Sequence, residues 1–333
     1  MNAPAKLNKV LITGASGFIG SHLADQLLHR GCEVHCLVRK SSDLQWLDTT
    51  RLHLHTLDLR QPDTDWSFLE NIDTVYHCAG LTKAKTRQEY FLVNAESCRP
   101  FYKALVEYGQ NLKAVIHLSS LAAVGPGEPG QKIDENSPCN PITYYGKSKL
   151  AGEQIALEFA ASLPMIILRP PVVYGPREKN FFLYLKSIRQ GWSIRIGKIQ
   201  RHLSLIHSND LVAAMLTASE GEIFQDNIYF VTDGNVYTWD EVSELAMQHL
   251  KVKTRVFTLS EKNLKRAAML TEAVAGFMQK TPLLDRQRVL DICQSSWAAS
   301  PQKFFDRFDF KPQFDLAHGL PHTLEWYQQQ RWL

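Results

Sequence analysis

The sequence Thr13-Gly14-Ala15-Ser16-Gly17-Phe18-Ile19-Gly20 lies between a short apolar run, residues 10–13, and residues 21–29, where leucines recur at helical spacing. The flanking patterns predict a strand before this loop and a helix after it. Its first glycine permits a sharp turn, the second lets the backbone approach a pyrophosphate, and the third allows close packing of helix on sheet. A glycine triplet alone also suits a flexible loop, but the flanking strand and helix favour a nucleotide phosphate site.

Strand-like and helical segments alternate through the first half of the chain. Predicted strands cover residues 10–13, 33–38, 52–58, 73–79, 113–119 and 165–169, and an amphipathic helix is predicted over residues 91–108. Parallel strands need long crossover connections, so this alternation predicts parallel pairing with helices on both faces. The expected fold class is therefore α/β, with a doubly wound parallel sheet of the Rossmann type.

The regular alternation ends after Tyr174, which predicts a smaller C-terminal substrate-binding lobe. We expect residues 1–175 to form most of the dinucleotide-binding Rossmann domain, with segments near 204–235 returning to it. Residues 176–333 then form most of the substrate-binding lobe. No linker, repeat or low-complexity run separates the two halves, so they are expected to fold together across a shared cleft.

Two helices are predicted in the C-terminal lobe. Thr238 and Glu241 stand three residues apart before an apolar periodic run, which is a capping box at a helix start. Residues 264–278 form a second amphipathic pattern, with Ala268, Val274 and Phe277 among its apolar positions.

Composition excludes several classes of protein. The 333 residues carry 37 Lys and Arg against 34 Asp and Glu, a net charge of +3, so charge indicates no nucleic-acid partner. The six cysteines show neither Cys-x-x-Cys nor metal-ligand spacing, which favours free thiols, a reducing compartment and no metal. The first strand begins close to Met1, and no apolar run approaches the ~18 residues of a membrane span. These features predict a soluble, cytoplasmic protein.

Tyr145 and Lys149 stand four residues apart in Thr143-Tyr144-Tyr145-Gly146-Lys147-Ser148-Lys149. On a helix this spacing places both side chains on one face, where an ammonium can favour the ionised phenol. Lowering the pKa of a phenol from about 10 to about 7 requires ~4 kcal/mol and makes tyrosine an acid or base near neutral pH. The spacing alone also suits a solvated helix face, so other motifs must support it.

The residues after the second predicted strand bear on the choice of cofactor. An acidic side chain there would accept hydrogen bonds from a free ribose, whereas this chain has Val38-Arg39-Lys40. Arg39 can pair with a 2′-phosphate in bidentate fashion, which favours NADP, with NAD as the alternative. A solvated basic pair at a strand end is the simpler interpretation. Asp58, which ends the third predicted strand, is a candidate acceptor for the adenine amino group.

Seven segments, in order, resemble the extended short-chain dehydrogenase/reductase family, also called the NAD-dependent epimerase/dehydratase family. They are residues 13–20, 77–80, 119–125, 145–149, 168–176, 204–211 and 325–327. The resemblance covers nearly the whole chain. Because of Pro170-Pro171 and Val38-Arg39, it is nearest in pattern to the dihydroflavonol reductase and 3β-hydroxysteroid dehydrogenase branch.

The resemblance implies roles for individual residues. Tyr145 would exchange a proton with the substrate oxygen, and Lys149 would lower the pKa of Tyr145 and hold the nicotinamide ribose. Ser120 would hydrogen-bond the reacting carbonyl or hydroxyl. Ser119 is the alternative residue for this role; if Ser120 fills it, Ser119 is expected to satisfy backbone groups at the strand end. Asn94 falls where the family orders its active-site helix. The residues implied in cofactor binding are Gly14, Ser16, Gly17, Phe18, Ile19, Gly20, Arg39, Asp58, Leu59, Ala79, Tyr145 and Lys149.

Departures from the family pattern separate its chemistries. Sugar-nucleotide dehydratases carry an Asp-Glu pair directly after the active-site hydroxyl, where this chain has Leu121 and Ala122. Sugar-nucleotide epimerases usually carry Asn at the position of Val172, and valine cannot donate the corresponding hydrogen bond to a nucleotide diphosphate. These departures disfavour dehydration and weigh against epimerisation.

Residues 177–201 combine cations with aromatic and apolar residues. One acid, Glu178, stands among seven basic residues, which are Arg177, Lys179, Lys186, Arg189, Arg195, Lys198 and Arg201. Beside the cleft, such a segment could contact an anionic substrate or an acidic membrane surface. An amphipathic helix with a buried apolar face and solvated cations is the simpler alternative.

The leading hypothesis is an NADP-preferring oxidoreductase that interconverts a ketone and a secondary alcohol on a fairly apolar small molecule. Steroid-like, flavonoid-like and keto-lipid-like substrates all stay open. A sugar-nucleotide 4-epimerase with tightly held NAD is the alternative, and a non-catalytic NADP-sensing regulator is a third hypothesis. Tyr145, Lys149 and Ser120 argue against a sensor, which has no need of them. A homodimer is common in the wider family and is an open expectation.

Overall fold

The computed structural model describes residues 8–61, 65–221, 227–278, 282 and 284–333. Its strands are β1 Lys9–Thr13, β2 Glu33–Val38, β3 His53–Thr56, β4 Thr74–His77, β5 Ala114–Leu118, β6 Met165–Arg169, β7 Val172–Tyr174, β8 Trp192–Ile196, β9 His202–Leu203, β10 Leu205–His207, β11 Ile228–Phe230, β12 Tyr237–Thr238, β13 Arg255–Leu259 and β14 Ser296–Trp297. Its α-helices are α1 Phe18–His29, α2 Arg87–Phe91, α3 Cys98–Tyr108, α4 Tyr144–Glu158, α5 Lys179–Arg189, α6 Ser208–Glu220, α7 Trp239–Leu250, α8 Glu261–Phe277, α9 Arg286–Ile292, α10 Gln302–Phe308 and α11 Leu316–Gln329.

Seven parallel strands form the main sheet, in the order β11-β6-β5-β4-β1-β2-β3. β1 lies between β2 and β4, so the chain winds outward to one edge and then crosses to build the other side. In such a doubly wound sheet, ligands bind beyond the carboxyl ends of the strands, where the winding reverses. Thr13 and His77 end the two strands that flank this point. The predicted α/β fold of the Rossmann type is confirmed.

Helices cover both faces of this sheet, as the alternating pattern predicts. On one face, Leu27 of α1 and Met215 of α6 are buried with the side chains of β1 and β5 in one apolar core. On the other face, Phe101 of α3 and Ala156 of α4 join a second core with Val115. The sheet is therefore buried on both sides, which is typical of parallel sheets.

The C-terminal part of the chain builds a third core beyond the carboxyl edge of the main sheet. Tyr174, Leu185, Val242 and Leu320 are buried together there, in contacts among β7, α5, α7 and α11. β11 nevertheless lies in the main sheet, although it follows the first elements of this part. We keep the division near residue 175 as a proposal, with the later return to the Rossmann domain that the sequence predicts.

A buried ion pair fixes helix α4, which carries both predicted catalytic residues of the Tyr-x-x-x-Lys pattern, against β6. The guanidinium of Arg169 donates to the two carboxylate oxygens of Glu153 at 3.0 and 2.7 Å, and both side chains are almost wholly buried. On another side of α4, a Cβ at Gly152 would lie 2.2 Å from the carbonyl oxygen of Asn94. Only glycine therefore allows this approach of the two helical segments.

The helix predicted over residues 91–108 is not continuous. α2 ends at Phe91, a π-helical turn spans Leu92–Glu96, and α3 begins at Cys98. The wide turn sets the backbone of Asn94 against α4, a tertiary contact that hydrophobic periodicity does not encode. The third strand is also shorter than predicted, covering His53–Thr56.

Both helices predicted in the C-terminal part are present. Thr238 and Glu241 form the predicted capping box at the start of α7. α8 begins at Glu261 and buries Ala268. Val274 and Phe277 were expected on the same apolar face, but they are 60% and 93% exposed. Apolar residues therefore occupy two faces of α8, and only one of them is packed.

Two further observations concern the whole described chain. All six cysteines lie within it and are free thiols, of which Cys36 and Cys98 are buried. Among the described helices, none combines the length and the hydropathy that crossing a membrane requires.

Replacing Arg169 with Met should lower the free energy of unfolding by about 3–5 kcal/mol, because Glu153 would stay buried without its partner. Urea denaturation followed by circular dichroism measures the change. The double variant E153L/R169M should recover much of the lost stability, since apolar residues often replace a buried ion pair at little cost.

The matched control is R99M, which breaks the exposed pair between Arg99 of α3 and Glu158 of the same helix α4. Solvent screens exposed pairs, so the denaturation midpoint of this control should stay close to that of the parent. Equal effects of R99M and R169M would show that the buried pair does not fix α4.

Candidate active site

The glycine loop joins β1 to α1 in a conformation that requires glycine at two positions. Gly14 has a φ of +70°, and a Cβ there would lie 2.7 Å from the backbone nitrogen of Ala79. A Cβ at Gly20 would lie 2.3 Å from the carbonyl oxygen of Gly14. Gly17, by contrast, is exposed. The loop thus packs tightly against the end of β4 and against α1, while its tip is open to a ligand.

The start of α1 suits an anionic ligand. Gly17 occupies the N-cap position without a capping side chain, and the first turn holds no acidic residue. The backbone N–H groups of Phe18 and Ile19 follow directly, and such unsatisfied groups at a helix start attract phosphates. Ser16 precedes them and is half-buried. The predicted loop residues therefore come together, and they fit the pyrophosphate of a dinucleotide.

Cations gather at the outer edge of the sheet, around Asp58. Arg39 and Lys40 follow β2 and are exposed, and Leu59 is half-buried. Arg60, which sequence analysis missed, donates from Nε to the two oxygens of Asp58 at 2.8 and 3.0 Å. The hydrogen bonds from Arg60, with a smaller contribution from the charge of Arg39, lower the pKa of Asp58. The only signal in the sequence was a basic residue two positions after Asp58.

Ser120, Tyr145 and Lys149 come together where β5 ends and α4 begins. The phenol of Tyr145 lies near the hydroxyl of Ser120, which acts to lower the pKa of the phenol. That hydroxyl also accepts from the backbone N–H of Ala122 at 3.1 Å, which caps a short 3-10 turn. Lys149 is 5% exposed, and its ammonium donates to the carbonyl oxygen of Leu118 at 2.6 Å. The structure thus brings the three predicted catalytic residues into one site.

Burial raises the pKa of Tyr145, and the nearby hydroxyl of Ser120 offsets this only in part. The sequence predicts the opposite direction, a pKa lowered by Lys149. Here the ammonium of Lys149 donates to the carbonyl oxygen of Leu118, and burial is the main influence on the pKa of the phenol. Burial also lowers the pKa of Lys149 itself. Tyr145 is therefore protonated at neutral pH, in the form that can donate a proton.

Asn94 ties the catalytic helix to the loop after β4. Its side-chain nitrogen donates to the hydroxyl of Ser148 at 2.9 Å and to the carbonyl oxygen of Leu81 at 3.0 Å. Its side-chain oxygen accepts from the backbone N–H of Leu81 at 2.7 Å. Ser148 in turn donates to the carbonyl oxygen of Tyr145 at 2.7 Å. Asn94 is therefore a positioning residue, which orders α4 through its first turns.

The structure separates the two serines that compete for the carbonyl-binding role. Ser120 contacts Tyr145, and both residues line the same cavity. Ser119 is 4% exposed, and its hydroxyl has no hydrogen-bond partner in the part of the chain that the structure describes. The expectation that its side chain satisfies backbone groups is therefore wrong. Its backbone N–H donates to the carbonyl oxygen of Leu168 at 2.8 Å.

A cleft runs from this site toward the C-terminal part. An inner cavity of about 260 Å³ is bounded by Ser120 and Tyr145, and an outer cavity of about 530 Å³ adjoins it. The residues common to both cavities are Val172, Arg201, Trp239 and Ile292. Other apolar lining residues are Leu121, Pro171, Leu203, Trp297, Ile194 and Ile199. The cleft has the size and the apolar character of a small-molecule site.

One carboxylate interrupts the apolar lining of the inner cavity. Asp291 of α9 lines it, and its Oδ1 is buried without a hydrogen-bond partner among the described residues. Burial, helped by the charge of Asp285 and opposed by that of Arg288, raises the pKa of Asp291 to about 7. A buried polar atom without a partner is costly, so Asp291 is a candidate to bind a polar group of a ligand. Sequence analysis missed it because no motif surrounds it.

Side chains at two places in the described structure come close enough to hold a metal ion. One group, on β2 and β3, comprises Glu33, His35 and His53, and the other comprises His77, Cys98 and His117. The second group is buried, and the ring nitrogens of His77 lie 2.8 Å from the Thr13 hydroxyl and 3.4 Å from the Cys98 sulfur. Neither group lines the cleft. That the protein needs no metal stays a prediction.

Comparison with known families and proteins gives consistent matches. The model of the NAD dependent epimerase/dehydratase family matches residues 10–231. The ceramide reductase of Caulobacter vibrioides is 26% identical over 97% of this chain and 96% of its own length. The decarboxylating sterol-4-alpha-carboxylate 3-dehydrogenase of Schizosaccharomyces pombe is 26% identical over 98% and 99%. The UDP-glucose 4-epimerase of Vibrio cholerae is 28% identical over 72% and 75%.

Solved structures share the fold. The UDP-glucose 4-epimerase of Thermus thermophilus, in complex with NAD, superposes with a TM-score of 0.75. The superposition covers 96% of this chain and 99% of the epimerase at 21% sequence identity. At this identity the likeness bears on the fold, and it agrees with the doubly wound sheet described above.

Replacing Asp291 with Asn should remove a pH dependence of stability. The pKa of about 7 in the native state lies above that of an unfolded aspartate, about 3.9, so the native state holds the proton more tightly. The parent therefore loses stability as pH rises from about 4 to about 7, by at most about 4 kcal/mol from this group. Urea denaturation across this range should show that the free energy of unfolding of D291N increases relative to that of the parent as pH rises.

The control for this experiment is D309N, at an aspartate that is 94% exposed in its side chain. This variant should follow the parent at every pH, because solvent already satisfies the carboxylate. Parallel stability curves for D291N and the parent would contradict a strained, buried Asp291.

Proposed function

Because this chain belongs to the NAD-dependent epimerase/dehydratase family of extended short-chain dehydrogenases/reductases, we propose that it is an oxidoreductase acting on a lipid ketone. Members of this family are NAD-dependent oxidoreductases, epimerases or dehydratases. The proposed reaction interconverts a ketone and a secondary alcohol. The observation that carries the proposal is the continuous apolar cleft that ends at Ser120 and Tyr145.

Each residue of the site would have a separate role in this reaction. The nicotinamide cofactor would supply the hydride that the carbonyl carbon accepts. Ser120 would hold the carbonyl oxygen, and the protonated Tyr145 would donate its proton to that oxygen as negative charge develops. One hydride and one proton convert the ketone to the alcohol, and the reverse reaction removes both. Lys149 would hold the nicotinamide ribose, as the family resemblance implies.

A lipid substrate is proposed from the cleft and the relatives together. Val172, Trp239 and Ile292 border both cavities, so an extended apolar chain can lie in the outer cavity while its carbonyl reaches the inner one. Burying such a chain stabilises the complex by about 25 cal/mol per Å² of apolar surface. Two relatives that align over almost the whole chain are named for ceramide and sterol substrates. The keto-lipid class is therefore favoured over the flavonoid class.

Asp291 narrows the substrate class further. Asp291 lines the inner cavity together with Ser120 and Tyr145, and its Oδ1 has no hydrogen-bond partner among the described residues. A hydroxyl or amide N–H of the substrate, close to the reacting carbonyl, would give this carboxylate a partner that the described protein atoms do not supply. We therefore propose a ketone that carries a hydrogen-bond donor beside the carbonyl and a long apolar chain beyond it.

The two ends of the cleft differ in polarity and would contact different parts of such a substrate. The inner end offers hydrogen-bonding groups at Ser120, Tyr145 and Asp291, whereas isoleucines and then exposed cations border the outer cavity. A molecule with a polar head and a long apolar chain satisfies both ends if the head enters first. A sugar nucleotide would instead bring a charged diphosphate against Val172, which leaves that charge without a hydrogen bond from this side chain.

A preference for NADP over NAD is part of the proposal. The 2′-phosphate of NADP would lie beyond the end of β2, where Arg39 and Lys40 are exposed. Arg60 adds a third cation at this edge, although Asp58 already accepts its hydrogen bonds. Each oxygen of Asp58 already accepts two hydrogen bonds from Arg60, so an adenine amino group would have to share or displace one of these donors.

A sugar-nucleotide 4-epimerase is the alternative, because a curated relative has that activity by name. Val172 weighs against it, since this side chain borders both cavities and offers no hydrogen bond to a nucleotide diphosphate. Homodimerisation and a cytoplasmic location, both expected from the sequence, also stay proposals. A light-scattering measurement of the mass in solution tests the first of them.

The direct test is a turnover assay with NADPH or NADH and four ketone or sugar classes. The panel contains a ceramide-like β-keto amide, a 3-ketosteroid, a dihydroflavonol and UDP-glucose. Loss of reduced-nicotinamide absorbance with the keto amide supports the proposal. Cofactor retained through gel filtration, together with epimerised UDP-glucose and no net oxidation, would replace it with the epimerase.

Replacing Tyr145 with Phe should reduce turnover by at least about 100-fold, because general acid catalysis is lost. Affinity for the cofactor should change little, since the phenol lies beside the hydroxyl of Ser120 rather than in the glycine loop. Steady-state kinetics and calorimetric titration with NADPH measure the two quantities. Y144F alters the neighbouring, more exposed tyrosine and is the matched control. Equal loss of turnover and cofactor affinity in Y145F would show a structural role only.

Replacing Arg39 with Asp should shift the cofactor preference toward NAD. The charge reversal removes a hydrogen-bond donor to the 2′-phosphate, which we expect to weaken NADP binding by at least about tenfold. Calorimetric titration with both cofactors gives the ratio of dissociation constants. The same charge reversal at Lys311, whose side chain is 87% exposed, should leave the ratio unchanged. An unchanged ratio in R39D would remove Arg39 from the cofactor site.

A further inference from the structure

Helix α8 carries a second, exposed stripe of side chains. Leu264 and Ala268 pack on its buried side, in a small core with Val289 of α9. Residues 262, 266, 270, 274 and 277 follow one another at spacings of three or four and lie on the opposite side of the helix. The stripe begins with two cations and continues with Leu270, Val274 and Phe277. These three apolar side chains are 69%, 60% and 93% exposed.

β13, which directly precedes α8 in the chain, pairs with β8 in a two-stranded ribbon that is also apolar and exposed. Phe257 pairs with Ile194 in the parallel register, and the two side chains are 54% and 44% exposed. Trp192 and Val256, at the same end of the ribbon, are 48% and 55% exposed. A soluble surface rarely gathers this many large apolar side chains without a partner.

The charge of these segments is strongly positive. Residues 192–201, 255–259 and 261–277 contain seven Lys and Arg against two Glu, whereas the whole chain carries a net charge of only +3. Arg195 and Arg201 pair with acidic side chains. The other five are exposed and form no ion pair with any described residue; they are Lys198, Arg255, Lys262, Lys265 and Arg266. We call β8, β13, α8 and residues 197–201 the basic apolar face.

The basic apolar face adjoins the mouth of the cleft. Ile194, Lys198 and Ile199 line the outer cavity, and Ile194 and Ile199 are at the same time 44% and 61% exposed. Arg201 borders both cavities and is bound to Glu261 at the start of α8 at 2.7 Å. The ribbon and the helix are thereby fixed to the cavity wall. Ile194 and Ile199 therefore provide apolar surface that is shared by this face and the outer cavity, with Lys198 beside them.

We propose that the basic apolar face docks on an anionic lipid surface, and that the substrate enters the cleft from there. Phe257, Phe277 and Trp192 would insert among the lipid headgroups, while the surrounding lysines and arginines contact acidic headgroups. The docking follows from the surface itself. The route of entry rests on the proposed function, because it supposes a lipid substrate.

A second copy of the chain is the competing occupant of this face. A twofold symmetric dimer through it would place the same cationic segments against each other, since such interfaces are self-complementary. Repulsion between like charges would oppose that contact, whereas an anionic surface neutralises the same charges. The observed charge therefore favours the lipid surface.

Sedimentation with lipid vesicles tests the proposal. We expect the full-length protein to bind vesicles of phosphatidylglycerol and phosphatidylcholine in equal parts, and to bind pure phosphatidylcholine at least about tenfold less. Binding should weaken as salt rises from about 0.1 M to about 1 M, since the screening length falls from about 10 to about 3 Å. No substrate or cofactor is present, so the result does not depend on the proposed reaction.

Two pairs of variants identify the face. F257S/F277S should lose apolar insertion, and K262E/R266E should lose attraction to acidic headgroups, each by at least about tenfold in partition coefficient. V106S/L157S changes two apolar residues that are 44% and 46% exposed on α3 and α4, and K103E/K311E reverses two exposed cations elsewhere. Both controls should bind as the parent does. Melting temperatures establish that all variants are folded.

Several outcomes overturn the proposal. Absence of binding to anionic vesicles would do so, as would parent-like binding by both F257S/F277S and K262E/R266E. A third result would assign the face to a second copy of the chain. In that case the parent is a dimer, F257S/F277S is a monomer, and neither protein binds vesicles. Vesicle binding without reduction of any keto lipid would support the docking proposal and contradict the proposed reaction.

Discussion

The position of helix α4 is the constraint on which the proposed chemistry depends, and the buried pair of Glu153 and Arg169 sets it. Tyr145 lies in the first turn of this helix and Lys149 one turn later, so any shift of the helix moves both. Desolvating two charges costs several kcal/mol, and bidentate bonds offset that cost only in one relative placement. The contact of Gly152 with the π-helical turn then locates the helix from a second side.

The features that could be predicted from the sequence are those encoded locally. The glycine loop, the alternation of strands and helices and the capping box at Thr238 each depend on residues within one short segment. The spacing of Tyr145 and Lys149 is local in the same sense. Their pairing with Ser120 became predictable only through the family resemblance, because the serine lies on a separate strand end.

The features that were missed depend on contacts between distant segments. The π-helical turn at Asn94 packs against α4, and Asp291 reaches the cleft through the packing of α9. Arg60 is the exception, because it binds Asp58 only two residues away. The exposed stripe of α8 shows another limit. Periodicity predicts a helix there, but a helix with apolar residues on two faces does not reveal which face meets the core.

The protonation state of Tyr145 bears on the direction of the proposed reaction. Burial raises its pKa, and the ammonium of Lys149 donates to the carbonyl oxygen of Leu118. Reduction of a ketone needs a proton donor, and a phenol with a raised pKa still protonates a far more basic alkoxide. Oxidation of an alcohol needs the phenolate, which this arrangement disfavours at neutral pH. A protonated phenol therefore agrees with the proposed ketone reduction, in which Tyr145 would donate the proton.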